Sequence, residues 1–234
     1  MTPAPAPRLL IVGHGRMGRL VDALASEYGF EIAGIVTSGN ASRPSDWPEA
    51  DVAIDFSTAS AVAENAKRLA GRGLHLVIGT TGWNGEEAAL RQELAAFPIG
   101  VVAAPNFALG VNLFIALAAR AAELMAQRAE FGAWVHEMHH RAKRDAPSGT
   151  AIAIRDTMQQ AGYDAAIDVA SNRVGSIPGT HTVGFDSQAE TITLTHTARD
   201  RSSFARGALQ AAKWVQGRRG WFTMKDVLGL TTED

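Results

Sequence analysis

The sequence predicts an α/β fold: a doubly wound parallel sheet, followed by a smaller α+β domain. Three observations lead there. Strand-length apolar runs alternate with helix-period segments from Leu9 to Ala103, the signature of strand–helix–strand units. A glycine-rich turn, Gly13-His-Gly-Arg-Met-Gly18, joins the first run to the first helical segment. Beyond Ala103 the pattern changes to one long apolar helix and to strands that alternate apolar and polar residues, as a sheet with two different faces does.

The elements follow in order. Leu9–Val12 is a short apolar run ending at glycines and reads as a buried strand. Arg16 to Tyr28 has helical spacing, with Met17, Leu20, Val21 and Leu24 on one side. Glu31–Val36 and Val52–Asp55 read as the second and third strands, and Ala59–Gly71 as a helix. Leu74–Ile78, a helix over Gly85–Ala96, and Ile99–Ala103 continue the alternation. Val111–Glu130 is one long, mostly apolar helix, and Trp134–Met138 a strand. A helix is expected from about Ser148 to Ala161, with Ser148 as its N-cap. Thr180–Phe185 and Thr191–Thr197 are two-faced strands, and Arg201–Val215 is helical with Phe204, Leu209, Ala212 and Val215 apolar. The tail Trp221–Leu230 is expected to pack back on the first domain.

Composition narrows the function. The 234 residues carry 46% hydrophobic and 20% charged side chains, a net charge of -2 and no cysteine. These are the values of an ordinary globular protein. The near-neutral balance gives no footprint for nucleic acid. Without cysteine there are no disulfides, thiolate zinc sites, iron–sulfur clusters or cysteine nucleophiles. No apolar run approaches the roughly 20 residues of a membrane span. The opening Met1-Thr-Pro-Ala-Pro-Ala-Pro-Arg8 reads as a disordered lead-in without a signal-peptide core, so the cytoplasm is the expected location.

The turn from Gly13 to Gly18 has the G-x-G-x-x-G spacing of a dinucleotide-binding, Rossmann-like unit. Each glycine has a function in that setting: Gly13 makes the tight turn, Gly15 lets the backbone approach a pyrophosphate, and Gly18 lets helix and strand pack closely. Gly13, Gly15, Arg16, Met17 and Gly18 are therefore candidate cofactor-binding residues. NAD-binding units usually place an acid about 20 residues on, to hold the ribose 2′-hydroxyl. The corresponding segment is Val36-Thr-Ser-Gly-Asn40, with no acid, and Ser38 and Arg43 better suit a 2′-phosphate. NADPH is expected to be accepted at least as well as NADH. Two further loops, Gly79-Thr-Thr-Gly82 and Ala104-Pro-Asn-Phe107, lie at carboxyl ends of strands, where ligands of open sheets bind. Asp55-Phe-Ser57 is placed to line the same crevice.

The segment Glu137-Met-His-His-Arg-Ala-Lys-Arg-Asp-Ala-Pro-Ser-Gly-Thr-Ala151 is the richest in chemistry. It sets two histidines and three strong bases ahead of a helix start. The cations suit a small polyanion, the imidazoles and Lys143 are candidate proton donors, and the Ser148-Gly149-Thr150 turn offers N–H groups to a carboxylate. His136 to His140 also spells H-E-x-x-H, which on a helix would bind zinc. The residues before it read as entry to a strand, where those two histidines stand too far apart for one tetrahedral ion. No metal site is expected. His14 and His75 read as structural, and His181 and His196 as core or surface histidines.

These residues resemble the 4-hydroxy-tetrahydrodipicolinate reductase (dihydrodipicolinate reductase) family. The resemblance rests on Gly15-Arg-Met-Gly-Arg19, Val77-Ile-Gly-Thr-Thr-Gly82, Asn106-Phe107 with Gly110-Val-Asn112, and His139-His140, Lys143 and Asp145–Ala151. It continues through Phe204-Ala205, Gly207-Ala-Leu209 and Asp226–Leu230. It implies a Rossmann domain plus a mixed-sheet substrate domain, usually tetrameric through that sheet, with NADPH or NADH as coenzyme. It also implies roles. His139 and Lys143 would be the catalytic acids, and His140, Ser148, Gly149 and Thr150 would hold a cyclic dicarboxylate. Gly79, Thr80, Thr81, Ala104, Pro105, Asn106 and Phe107 would line the nicotinamide end. The glycine loop is one residue shorter than the G-x-x-G-x-x-G of many members, and the chain is short after the second strand.

The expected division is 1–108 with 209–234 for the dinucleotide, and 109–208 for substrate binding and oligomerisation. Three other readings remain open. They are an amino-acid dehydrogenase acting on an acyclic substrate, a non-catalytic dinucleotide sensor, and a zinc hydrolase.

Overall fold

The computed structural model describes residues 5–230, so residues 1–4 of the proline-rich lead-in lie outside the described part. The chain forms two compact units: residues up to Leu109 with those from Ser202 onward, and Gly110–Arg201.

The first unit holds a six-stranded sheet. Its strands are β1 (Arg8–Val12), β2 (Glu31–Val36), β3 (Val52–Asp55), β4 (His75–Ile78), β5 (Gly100–Ala103) and β10 (Gly220–Phe222). The order is β10-β5-β4-β3-β1-β2, and every pairing is parallel. Strands covered on both faces must be apolar throughout, and Leu9, Leu10, Ile11 and Val12 are all buried. Leu9 and Ile11 face a layer built from α1 (Arg16–Leu24) and α6 (Ser202–Val215), with Val21, Ala208, Leu209 and Ala212. Leu10 and Val12 face the layer of α2 (Ala59–Gly71) and α3 (Asn84–Leu94), with Val62, Leu69, Leu90 and Leu94.

The end of the first helix differs from the periodicity. The first helix is α-helical only to Leu24; Ala25–Tyr28 tightens into a 3-10 turn closed by Gly29 at φ 78°, a common helix ending. The tail does return to this unit: β10 pairs with β5, and Thr223 and Asp226 form a capping box that starts α7 (Met224–Val227).

The second unit holds α4 (Leu109–Met125) from its second residue on, β6 (Gly132–His139), α5 (Gly149–Gln160), β7 (Ile167–Arg173), β8 (Thr180–Asp186) and β9 (Thr191–Thr197). Its sheet has the order β7-β6-β8-β9 and is mixed: β6 runs parallel to β7, and the other pairs are antiparallel. Strand β7, Ile-Asp-Val-Ala-Ser-Asn-Arg, is absent from the reading above. Its weakly apolar alternation gives little strand signal, and the β6 register decides it. Helix α4 stops at Met125 rather than Glu130, where its contacts with the core run out. That core is Phe114, Ala118, Val135, Ile154, Met158, Val183 and Phe185. Along β6 the buried positions are Ala133, Val135, Glu137 and His139. A strand alternates its side chains, so two ionisable residues here take core-side positions.

Candidate active site

In the first unit, backbone shape makes a cradle. Gly13 sits at φ +89°, and its N–H donates to the Val36 carbonyl at 2.8 Å. A Cβ at Gly13 would run into the Phe56 carbonyl, and one at Gly18 into the Gly13 carbonyl. Gly15 differs: it is the N-cap of α1, and nothing lies within 4 Å of where its Cβ would be. Helix α1 begins with no side-chain cap and no acid in its first turn, so its leading N–H groups and positive dipole end suit an anion. In front is a cavity of about 350 Å³ lined by Gly15–Met17, Phe56–Ala59 and Gly79–Thr81.

Buried Asp55 ties the walls of this cavity together. Its Oδ1 accepts from the Ser57 N–H at 2.8 Å, the Ser57 hydroxyl at 2.7 Å and the Thr80 hydroxyl at 2.8 Å. Its Oδ2 accepts from Asn65 Nδ2 at 3.2 Å. The loops after β3 and β4 are thereby held to one another. Ala104, Pro105, Asn106 and Phe107 follow β5 but are not part of the cavity wall. Phe107 is buried, with its ring edge-on to Phe56 at 6.4 Å. After β2, Asn40 closes the Thr37–Asn40 turn by accepting from the Thr37 N–H at 2.7 Å, and Arg43 pairs with Asp46 at 3.5 Å. An uncapped helix start behind a glycine with open space is the shape a pyrophosphate needs, and the residues present fit a dinucleotide.

In the second unit, buried charge makes the site. His139 closes β6, and its Nδ1 is hydrogen-bonded to Glu137 Oε2. Glu137 has no exposed surface. Its Oε1 accepts from Arg173 at 2.7 Å and from the Ser148 N–H at 3.2 Å. Arg173 also donates to the Asp145 carbonyl. Burial alone would raise the Glu137 carboxyl, but the hydrogen bonds, led by Arg173, hold it down at about 2. Burial pushes His139 below its ordinary value, against the pull of Glu137. His181, buried on β8, is lowered to about 4, by burial first and by the neighbouring His139 second. Its ring stands edge-on to His139 at 5.1 Å, and its Nε2 lies 3.3 Å from the Ser148 hydroxyl.

The loop after β6 completes the cluster. Lys143 pairs with Asp145 at 2.9 Å, which lowers the Asp145 carboxyl. His140 follows β6 directly, and its carbonyl accepts from the Lys143 N–H at 3.0 Å. Ser148 caps α5: its hydroxyl accepts from the Ala151 N–H at 3.2 Å. Gly149 and Thr150 open that helix, with clear space in front of Gly149. His139, His140, Lys143, Ser148, Gly149 and Thr150 all lie on this one strand–loop–helix segment.

The H-E-x-x-H reading fails on geometry. The segment lies on a strand, with Glu137 turned inward and His136 bonded to Asn172. Glu137, His139 and His181 do come within 4.8 Å of one another. Arg173, the Ser148 N–H and His139 already engage both Glu137 oxygens, so a cation would have to displace a guanidinium.

A family model described as dihydrodipicolinate reductase, N-terminus, matches residues 7–107, and its C-terminal counterpart matches 110–228. The chain belongs to the dihydrodipicolinate reductase family. It is similar to the 4-hydroxy-tetrahydrodipicolinate reductase of Myxococcus xanthus, 43% identical over 80% of this chain and 75% of that protein. The enzyme of the same name from Acidiphilium cryptum is 41% identical over 92% of this chain and 94% of its own length. A dipicolinate-bound dihydrodipicolinate reductase from Paenisporosarcina sp. TG-14 shares the fold with a TM-score of 0.79 at 22% identity, covering 93% of this chain and 97% of that one.

Within this reductase framework, sequence reasoning missed Arg173 and His181, and took Glu137 only as part of a motif. One signal was available for Glu137. The alternation Ala133, Val135, Glu137 puts a carboxylate on the apolar side of a strand, and a buried carboxylate demands a cationic partner. Nothing local to β7 or β8 names that partner.

Proposed function

We propose that this chain catalyses the NAD(P)H-dependent reduction of 4-hydroxy-tetrahydrodipicolinate to tetrahydrodipicolinate, with loss of water, in diaminopimelate and lysine biosynthesis. As a family member it is an NAD(P)H-dependent oxidoreductase. One observation carries the substrate assignment: His139, His140 and Lys143 lie on the strand end and loop that lead into the capped start of α5, a set of donors and cations matched to a small cyclic diacid.

The roles follow from the chemistry of each group. The α5 N-terminus, through Ser148, Gly149 and Thr150, takes one substrate carboxylate, and His140 contacts the same ligand. Gly13, Gly15, Arg16, Met17 and Gly18 bind the coenzyme pyrophosphate, and Gly79, Thr80, Thr81 and Ala104–Phe107 serve the nicotinamide end. When bound, the reduced coenzyme supplies the hydride that goes to ring carbon 4 as water leaves. The negative charge that spreads through the conjugated imine needs a proton, and His139 or Lys143 delivers it. The Lys143 ammonium, steadied by Asp145, stabilises that charge as it develops. NADPH serves at least as well as NADH, since no acid stands at Thr37 or Ser38 to repel a 2′-phosphate. The active form is a homotetramer built through the mixed sheet of the second unit, and it works in the cytoplasm. Among the described residues no helix is long and apolar enough to cross a membrane.

The test is loss of NADPH absorbance with freshly generated 4-hydroxy-tetrahydrodipicolinate, repeated with NADH. Turnover is expected with both, and a clear NADH preference in kcat/KM would refute the coenzyme reading. Coenzyme binding without consumption would favour a sensor. Turnover of an acyclic amino acid instead would favour a dehydrogenase. Light scattering of the purified chain checks the tetramer.

A further inference from the structure

We infer that Glu137 is a positioning residue for His139: paired with Arg173, it accepts a hydrogen bond from Nδ1 of the imidazole, so that Nε2 is the nitrogen offered to the substrate. This rests on the reading that His139 exchanges a proton during the reaction.

The argument starts from register. Glu137 and His139 are two apart on β6 and share its buried face. Glu137 is sealed from solvent and touches three donors: Arg173 and the Ser148 N–H on Oε1, His139 on Oε2. An ionised carboxylate only accepts hydrogen bonds, so the ring nitrogen facing it carries the hydrogen. A neutral imidazole then has its lone pair on Nε2. That nitrogen lies against Gly179, where a Cβ would come within 2.9 Å of it, so a larger residue there would cover it.

The surrounding charges set the balance. Arg173 on β7 and Lys143 on the loop disfavour a second proton on His139, as burial does; Glu137 opposes all three. Asp145 spends its charge on Lys143. His181 on β8 faces the ring edge-on, with His196 of β9 acting on His181 in turn. Among these influences Glu137 is the one that pulls the imidazole towards its charged form. The same carboxylate holds the Ser148 N–H, so the acid and the anion-binding turn share one anchor.

The deciding experiment is Glu137→Gln in the full chain, with His139→Gln alongside. The expected result is a kcat about 10- to 100-fold lower, a basic limb of the kcat–pH profile moved to lower pH, and a much smaller change in substrate KM, because the glutamine carbonyl still accepts from the Ser148 N–H. A merely structural role would lower the yield of folded protein without moving the profile. If His139→Gln loses turnover while Glu137→Gln keeps both kcat and profile, the positioning role is wrong and the acid role stands. If His139→Gln turns over normally, the acid role fails and takes this one with it. Should Glu137→Gln not fold, nitrogen-15 spectra of histidine-labelled wild type, assigned with His139→Gln, answer directly. A protonated Nδ1 on His139 supports the proposal, and a neutral ring protonated on Nε2 overturns it.

Discussion

The dinucleotide cradle of the first unit and the charged cluster of the second are made of different materials. The cradle is backbone: glycines that permit a turn, a close approach and an open helix start. The cluster is side chain: a buried carboxylate, a guanidinium and imidazoles gathered from β6, β7 and β8. A cradle of backbone N–H groups holds an anion at any ordinary pH and is broken by adding atoms. A cluster of ionisable groups is broken by adding or removing protons. On the roles proposed above, binding and proton transfer fall to parts with opposite sensitivities.

Each prediction tests that contrast. The largest effect should come from the cluster's donors. Lys143→Ala or His139→Ala is expected to lower kcat by about 10²–10⁴-fold, with the dissociation constant for NADPH, read by fluorescence, left near its wild-type value. Near-normal turnover in both single variants would remove the assigned roles, and a matching loss of NADPH affinity would erase the division between the regions.

Acid should strike next. His181 is held neutral at about 4 against an ordinary 6.5, so between those values the unfolded chain takes a proton that the folded chain refuses. Stability therefore falls as pH drops from 6.5 to 4, by on the order of 3 kcal/mol. Glu137, held at about 2 against 4.5, contributes stability that is complete above 4.5 and is lost as pH falls towards 2. Thermal midpoints measured from pH 7 to pH 3 should decline in both stages, and His181→Asn should flatten the upper one. A midpoint that stays level from pH 6.5 to 4 in the wild type would count against the buried neutral imidazole.

The smallest effects separate two kinds of glycine. Gly18→Ala pushes a methyl into the Gly13 carbonyl and should cost roughly 1–3 kcal/mol of stability, visible as a lower melting temperature without ligand. Gly15→Ala meets nothing within 4 Å. It should melt like the wild type yet bind NADPH about tenfold more weakly, a difference of about 1.4 kcal/mol, because the methyl would occupy the space proposed for the pyrophosphate. Equal melting losses in both variants would contradict the open space at Gly15.

Much of the cradle is legible in the linear chain because its parts are neighbours. Gly13, Gly15 and Gly18 fall within one turn after a continuous apolar run, and the loops at 55–57 and 79–81 announce themselves at strand ends. The basic loop is legible for the same reason, as is the Ser148 cap. What could not be read is the set of partners. Arg173 lies 36 residues from Glu137 and His181 lies 33 from Ser148. Their own surroundings, a polar strand end and a threonine-rich strand, look like surface. Strand β7 escaped altogether, and with it the reason for Arg173.

The chain by itself determined the strand–helix alternation of the first unit up to β5, the glycine turn, and the gathering of His139, His140, Lys143 and Ser148 in one segment, because each depends on side-chain period or steric freedom over a few residues. Only the tertiary structure decided which ionisable groups are buried, which nitrogen of His139 faces a carboxylate, and why a glutamate can sit in an apolar layer. Those outcomes depend on strand register, which sets Arg173 directly beside His139 and His181 directly across from Glu137. The energy of a buried charge is settled by the few ångströms to its partner, a distance no local pattern encodes.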